Sequence, residues 1–233
     1  MTSDEPILRQ STRSQAYIDA MQQLEAKGRT FCCVCTRSQL PASAKGSTAP
    51  YPGTCRGRAH AGRGAIRFQV QAGSVGFDDR ACGYFVQDVE KSVGDFAIRR
   101  ADGLWAYQLA VVVDDAFQQI THVVRGADLL DNTPRQIALQ QALELRTPRY
   151  MHLPLVRDAL GRKLSKQTQA PAVDPENALV ELEQAWRHLG FGATAARSVA
   201  QFQQHAVARW RERWSQSDLP SALSATLDDP QSS

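Results

Sequence analysis

Cys33-Val-Cys35, followed by Tyr51-Pro-Gly-Thr-Cys55, is the part of this sequence best suited to hold an ion. Two thiolates one residue apart can chelate one zinc ion from a tight turn. A third thiolate from a later loop closes the site, and a tetrahedron needs one more ligand. Tyr51 or His60 could be that ligand, and Cys32 is a spare sulfur beside the pair. A phenolate is an unusual zinc ligand, so donor chemistry taken alone favours His60. The competing reading is a set of buried cysteines with no metal. Four of the five cysteines, Cys32, Cys33, Cys35 and Cys55, lie within 24 residues, and Cys82 stands apart. In a cytosolic protein such a cluster points to metal before disulfide.

Lys163-Leu-Ser-Lys-Gln167 follows Gly161. Two lysines flanking a small hydroxyl residue in a glycine-started loop suit polyphosphate, because ammonium groups neutralise the charge that a leaving pyrophosphate develops. A solvated surface loop is the plainer reading of so short a signal. Tyr107 and Arg125 stand at the ends of apolar stretches. An arginine fork clamps a carboxylate through two hydrogen bonds, and a tyrosine hydroxyl adds one. Taken alone, an arginine after a strand is more often a surface salt bridge.

These groups need elements to carry them. Tyr17, Met21 and Leu24 recur at helical spacing, which predicts a helix over 14–28 with Gly28 as its stop. Residues 41–54 form a Pro/Ala/Ser/Gly/Thr-rich loop. Ala65–Val70 alternates as a half-buried strand does. The run 104–113, LWAYQLAVVV, fits a buried strand or a buried helix equally. Residues 120–125 read as a strand stopping at Gly126. Thr133 is the expected N-cap of a helix with Pro134 at its first position, Ile137, Leu139, Ala142 and Leu143 as its apolar residues and an end near Arg146. Residues 152–156 look strand-like. From Asp174 a helix places Leu179, Leu182, Trp186 and Leu189 on one face, a second covers 197–214, and a frayed tail follows.

The 233 residues suggest one compact domain or two small ones, and 42% hydrophobic residues are enough for a core. No run of about 18 apolar residues marks a membrane span, and MTSDEPILRQ is not a signal peptide, so a cytoplasmic protein without membrane contact is expected. The net charge of +3 neither announces nor excludes a nucleic-acid partner. Arg56, Arg58, Arg63 and Arg67, and again Arg209, Arg211 and Arg213 with Trp210 and Trp214, read by themselves as solvated basic faces.

Six segments then fall in a familiar order: Asp95-Phe-Ala-Ile-Arg-Arg-Ala-Asp-Gly103, Trp105 to Asp115, Ile120 to Asp128, Thr133-Pro-Arg-Gln136, His152-Leu-Pro-Leu155 and Lys163-Leu-Ser-Lys166. From about Gln10 to about Trp214 the chain resembles the catalytic core of the glutamyl-tRNA synthetases. It is most similar to their shorter paralogues, the glutamyl-Q tRNA(Asp) synthetases. The resemblance implies an α/β fold, the Rossmann-like class I catalytic core, with a zinc-binding insertion and a helical C-terminal part. It implies Cys33, Cys35, Tyr51 and Cys55 as ligands of one Zn2+, which sets Tyr51 above His60. It implies Tyr107 and Arg125 as L-glutamate-binding residues, Lys166 as an ATP contact, and Lys163 and Ser165 beside it in the catalytic loop. The implied reaction forms glutamyl-adenylate from ATP, with Mg2+, and glutamate, then transfers glutamate to the queuosine base in the anticodon of tRNA(Asp). A monomer is expected.

The family opens with a nucleotide-binding strand, loop and helix that residues 1–30 do not resemble. The expectation is a core lacking its N-terminal half-unit, roughly 70 residues, which would expose sheet edges and leave activity in doubt. The expected organisation is a remnant of the first half over 1–30, the zinc insertion over 31–94, the second half over 95–156, the KLSKQ loop and helices over 157–214, and a tail over 215–233. Two further readings stay open: a non-catalytic zinc-containing tRNA-binding remnant, and a fragment of an ordinary glutamyl-tRNA synthetase.

Overall fold

Tyr17 and Leu24 are sealed from solvent on the inner face of the first helix, as their spacing predicts. A computed structural model gives the fold and describes residues 5–36, 38–40, 50–58, 60, 64–158, 160–164 and 172–215. The chain divides into two units, each gathered from separated stretches. The first comprises Met1–Phe77, Val86–Thr121 and Asp131–Pro148, and the second Asp78–Phe85, His122–Leu130 and Arg149–Ser233.

In the first unit, α1 (Ser14–Ala26) leads into a three-stranded antiparallel sheet of order β1-β2-β5, made of β1 (Thr30–Cys33), β2 (Ala65–Phe68) and β5 (Phe96–Arg99). Strand β5 and a short helix α2 (Val89–Ser92) lie in a stretch for which no element was expected. The apolar run that fits strand or helix is a helix, α3 (Tyr107–Phe117). Its β-branched tail is tolerated because Leu109 and Val112 are buried in the core with Tyr17, Leu24, Phe68, Val89, Ile98 and Leu139. Helix α4 (Thr133–Ala142) begins at Thr133 with Pro134 in its first turn, so the N-cap is Asn132 rather than Thr133. Asn132 makes no side-chain cap, since its Oδ1 accepts a hydrogen bond from Gln108 Nε2 at 2.6 Å.

The polar residue that ties these helices together is Asp114. Buried at the end of α3, it accepts from the Tyr17 hydroxyl at 2.6 Å, Arg13 Nε at 3.1 Å and Gln10 Nε2 at 3.2 Å. Burial first, and then the Asp114 carboxylate, push the Tyr17 phenol well above its usual range.

A four-stranded sheet of order β4-β3-β7-β6 contains β3 (Ser74–Asp79), β4 (Gly83–Asp88), β6 (His122–Gly126) and β7 (Arg149–Leu153). Strand β7 runs parallel to both β3 and β6, the pairing of α/β sheets. Strand β7 covers 149–153 rather than the expected 152–156, because Pro154 has no N–H to continue a ladder. Strands β3 and β4, like β5, were not anticipated. In the second unit Pro175 sits in a 3-10 turn (Pro175–Asn177), and Asp174 caps it by accepting from Glu176 N at 3.0 Å. Helices α5 (Ala178–His188) and α6 (Val199–Ser215) follow. Trp186 stacks on Phe191 with ring centres 3.8 Å apart, and Phe202 meets it edge-on. Of the four residues expected on one face of α5, Trp186 is buried and Leu179, Leu182 and Leu189 are half-buried.

Candidate metal centre and substrate-binding residues

Strand β1 ends on Cys33, and the irregular segment after it carries Cys35. A later turn, in which Arg56 N donates to Gly53 O at 2.9 Å, carries Cys55. The sulfurs of Cys33, Cys35 and Cys55 lie within 4.8 Å of one another, with Cys35 and Cys55 at 3.5 Å. Tetrahedral zinc with Zn–S bonds of about 2.3 Å has sulfur–sulfur edges of about 3.8 Å, so the spacing suits one ion. Tyr51 completes the cluster. Its hydroxyl oxygen stands 3.4 Å from Cys33 Sγ and 4.0 Å from Cys35 Sγ, and it accepts the Cys55 N–H at 2.9 Å. His60 is not one of the grouped ligands, and its Nε2 is buried without a hydrogen-bond partner among the described residues.

The backbone of Tyr51 is pinned from outside. Its N–H donates to Val93 O at 3.0 Å, and Gly94, at φ +70°, passes so close that a Cβ there would stand 2.7 Å from both Tyr51 N and O. Arg67 lies over the Tyr51 ring at 4.0 Å. Burial raises the Cys33 thiol, but hydrogen bonds from Tyr51 and Arg67 to its thiolate outweigh that and bring it down to about 7. Burial raises Cys35 and holds Tyr51 well above the usual phenol range. The cluster therefore has one sulfur primed as thiolate, and a bound cation would draw protons from the rest.

The basic segment is not the solvated face expected of it. Arg56 forks onto the buried Asp95 through Nε at 3.0 Å and Nη2 at 2.5 Å, and Nη2 also donates to Val70 O at 2.9 Å. Arg67 Nη1 donates to Asp95 O at 2.8 Å. Arg58 is exposed, and Arg63 lies outside the described residues. At the other end of the chain, Arg213 Nη1 donates to Leu189 O at 3.2 Å and Arg209 Nη1 to Gly192 O at 3.3 Å. Both arginines thus serve the carbonyls after α5, where cations are favoured.

Tyr107 is the first residue of α3 in the first unit and is half exposed. Arg125 is on β6 in the second unit, directly opposite His152 of β7 in the parallel register. Its Nε–H donates to His152 Nε2 at 3.0 Å, and its guanidinium lies over the Tyr150 ring at 5.4 Å. His152 Nδ1 is 2.5 Å from Asp79 Oδ2. Asp79 Oδ1 accepts three backbone N–H groups, from Ala81 at 3.0 Å, Cys82 at 2.9 Å and His152 at 3.1 Å. Burial raises the Asp79 carboxyl, but these hydrogen bonds, led by His152, prevail and hold it near 2. The nearby Cys82 thiol is pushed up to about 12 by burial and by that carboxylate. Sequence reading overlooked Asp79 and His152 as site residues. They are 73 positions apart, and only the register of β3 with β7 joins them.

The loop before the two lysines is a tight turn. Asp158 Oδ1 accepts from Leu160 N and Arg162 N, each at 2.9 Å, and Leu164 N returns to Val156 O at 2.9 Å. Lys163 Nζ meets Asp128 Oδ2 at 2.5 Å. Asp128 reaches that position across Gly126, where a Cβ would stand 2.5 Å from its Oδ1. Ser165 and Lys166 lie outside the described residues, as do residues 216–233 of the expected tail, whose first residue, Ser215, ends α6. Among the described residues no helix is long and apolar enough to cross a membrane.

Against known proteins, the family described as tRNA synthetases class I (E and Q), catalytic domain, matches residues 1–187. The chain is 51% identical over 220 residues to a glutamyl-Q tRNA(Asp) synthetase of Bordetella bronchiseptica, covering 91% of this chain and 69% of that protein. It is 47% identical to that of Cupriavidus metallidurans, with 90% and 70% covered, and 48% identical to that of Burkholderia mallei, with 91% and 75% covered. Its fold is similar to a glutamate tRNA ligase of Elizabethkingia meningosepticum solved in complex with its amino acid, with a TM-score of 0.58 at 24% identity. That likeness covers 70% of this chain and 37% of the other. The glutamate-tRNA synthetase of Elizabethkingia anophelis gives the same TM-score at 23% identity, covering 72% and 40%.

Proposed function

The chain belongs to the class I (E and Q) tRNA synthetases and, within them, to the glutamyl-Q tRNA(Asp) synthetase family, and on that premise we propose that it activates L-glutamate with ATP and transfers it to the queuosine base in the anticodon of tRNA(Asp). The observation that carries the reading is relatedness along nearly the whole chain to proteins bearing that name. A glutamate carboxylate oxygen attacks the α-phosphorus of ATP, the bond to the β-phosphate oxygen breaks, and pyrophosphate leaves. A nucleophile on the modified base then takes the acyl carbon and releases AMP. Neither step needs a protein nucleophile, so catalysis rests on positioning and charge.

Within this reading Arg125 and Tyr107 bind glutamate. Arg125 supplies a planar fork for a carboxylate, and its guanidinium is held by His152. Tyr107 supplies a hydroxyl at the start of α3. Lys166 contacts ATP, and Lys163 and Ser165 complete the loop that stabilises the departing pyrophosphate. The ion pair of Lys163 with Asp128 supports that placement, since it holds the loop's first ammonium in one position. Cys33, Cys35, Cys55 and Tyr51 hold a structural zinc, which would supply folding energy by fastening the end of β1 to the Cys55 turn. The segments 31–94 as zinc insertion and 95–156 as catalytic half belong to the same proposal. It carries with it a cytoplasmic monomer whose partners are glutamate, ATP and queuosine-bearing tRNA(Asp).

Glutamate-dependent exchange of labelled pyrophosphate into ATP, measured without tRNA, tests the activation step. Exchange with glutamate and none with glutamine is expected, and absence of exchange overturns it. Transfer of labelled glutamate to tRNA(Asp) with queuosine, but not to the same tRNA lacking it, tests the acceptor.

A further inference from the structure

The geometry points to Asp79 and His152 as positioning residues that aim the Arg125 guanidinium at the substrate carboxylate. The inference rests on the proposal that Arg125 binds glutamate.

The contacts of His152 fix which of its ring nitrogens carries a proton. An arginine guanidinium has only N–H groups to offer and no acceptor. The Arg125 Nε–H points at His152 Nε2 from 3.0 Å, so that nitrogen must present a lone pair. The proton of a neutral imidazole then belongs on Nδ1, which faces Asp79 Oδ2 at 2.5 Å. Asp79 is suited to hold it there. Its other oxygen is saturated by three backbone N–H groups, so the carboxylate cannot turn, and both side chains are fully buried. One tautomer satisfies both contacts and the other satisfies neither.

A hydrogen bond at Nε does more than anchor the arginine. A guanidinium grips a carboxylate side-on through Nε and one Nη, or end-on through both Nη groups. With Nε–H committed to His152, a two-point grip is restricted to the end-on mode. The guanidinium plane is set by the imidazole and by the Tyr150 ring beneath it. Tyr150 also stacks on His152, with ring planes 17° apart. The chain of constraint runs from backbone to Asp79, to His152, to Arg125.

Asp79→Asn is the discriminating variant. An asparagine keeps the shape, and its Oδ1 keeps the three backbone hydrogen bonds. Its Nδ2 now donates toward His152 Nδ1, which drives the imidazole proton to Nε2 and sets N–H against N–H at Arg125. Binding of L-glutamate to the purified 233-residue chain, read by calorimetry, should weaken roughly 10- to 100-fold, the cost seen when the outer partner of a metal-binding histidine is lost. Thermal unfolding of the variant, followed in parallel, shows whether it is folded. Arg125→Ala tests the premise and should weaken glutamate binding at least as much.

Two patterns separate the possible failures. If Arg125→Ala leaves glutamate binding unchanged, or the wild type does not bind glutamate, the premise fails. If Arg125→Ala weakens binding and folded Asp79→Asn does not, the premise stands and the positioning role falls. Nitrogen-15 NMR of the wild-type histidines judges the local claim without any variant being active. The His152 signals, assigned by their loss in His152→Gln, should show a pyridine-type Nε2 and a protonated Nδ1. A protonated Nε2 overturns the inference.

Discussion

The hydroxyl oxygen of Tyr51 accepts the backbone N–H of Cys55 at 2.9 Å and stands 3.4 Å from the sulfur of Cys33. A phenol is thereby brought into a cage of three sulfurs that donor chemistry alone would have offered to a histidine. Metal analysis of the purified protein should find about one zinc per chain, lost in the Cys35→Ser, Cys55→Ser double variant. Chelation should lower the unfolding temperature. Zinc-free protein that melts at the same temperature would make the cluster a set of structural thiols.

Gly94 is the position where a single methyl group should disturb that cage. Its φ of +70° disfavours any residue with a Cβ, and the added carbon would strike the Tyr51 backbone. Gly94→Ala should cost about 2 kcal/mol or more and reduce zinc retention in competition with a chelator. Unchanged zinc affinity would show that Tyr51 is not held through this contact.

Asp95 is 2% exposed, and its carboxylate accepts from Arg56 and from Val70 N at 2.9 Å. Arg56→Ala removes the fork and leaves the charge buried. A loss of roughly 2–3 kcal/mol is expected by urea unfolding, below the range for a fully buried pair because a third of the arginine side chain is exposed. A loss under half a kcal/mol would make the pair incidental.

Asp79 gives the acid limb of stability. Its folded carboxyl sits near 2, below the ordinary 3.8, so folding favours the charged form. The stabilisation, about 2 kcal/mol, is present in full above pH 4 and disappears as pH falls toward 2. The difference in unfolding free energy between wild type and Asp79→Asn should therefore shrink across that window. A difference independent of pH between 5 and 2 would mean that the carboxyl is not depressed.

Lys163→Ala should slow glutamate-dependent pyrophosphate exchange by roughly 10- to 100-fold, the loss typical of removing one charge-stabilising group. The KM for glutamate should hold, since this lysine is assigned to the phosphate side. A rise confined to the glutamate KM would move Lys163 to the other substrate.

The sequence by itself determined the family and much of the local structure. The six ordered motifs, the helix at Tyr17 to Leu24, the Pro134 helix start and the Cys-x-Cys pair are short-range patterns. Spacing and side-chain chemistry suffice to read them. What only tertiary structure decided depends on pairings across long stretches of chain. The run ending in Val111 to Val113 became a helix because Leu109 and Val112 found a core built from α1, β2 and α4. Arg56 folded inward, half-buried, because Asp95, 39 residues on, lay beside it. The Asp79–His152–Arg125 chain emerged because strand register places these groups, and no local signal in the residues encodes it.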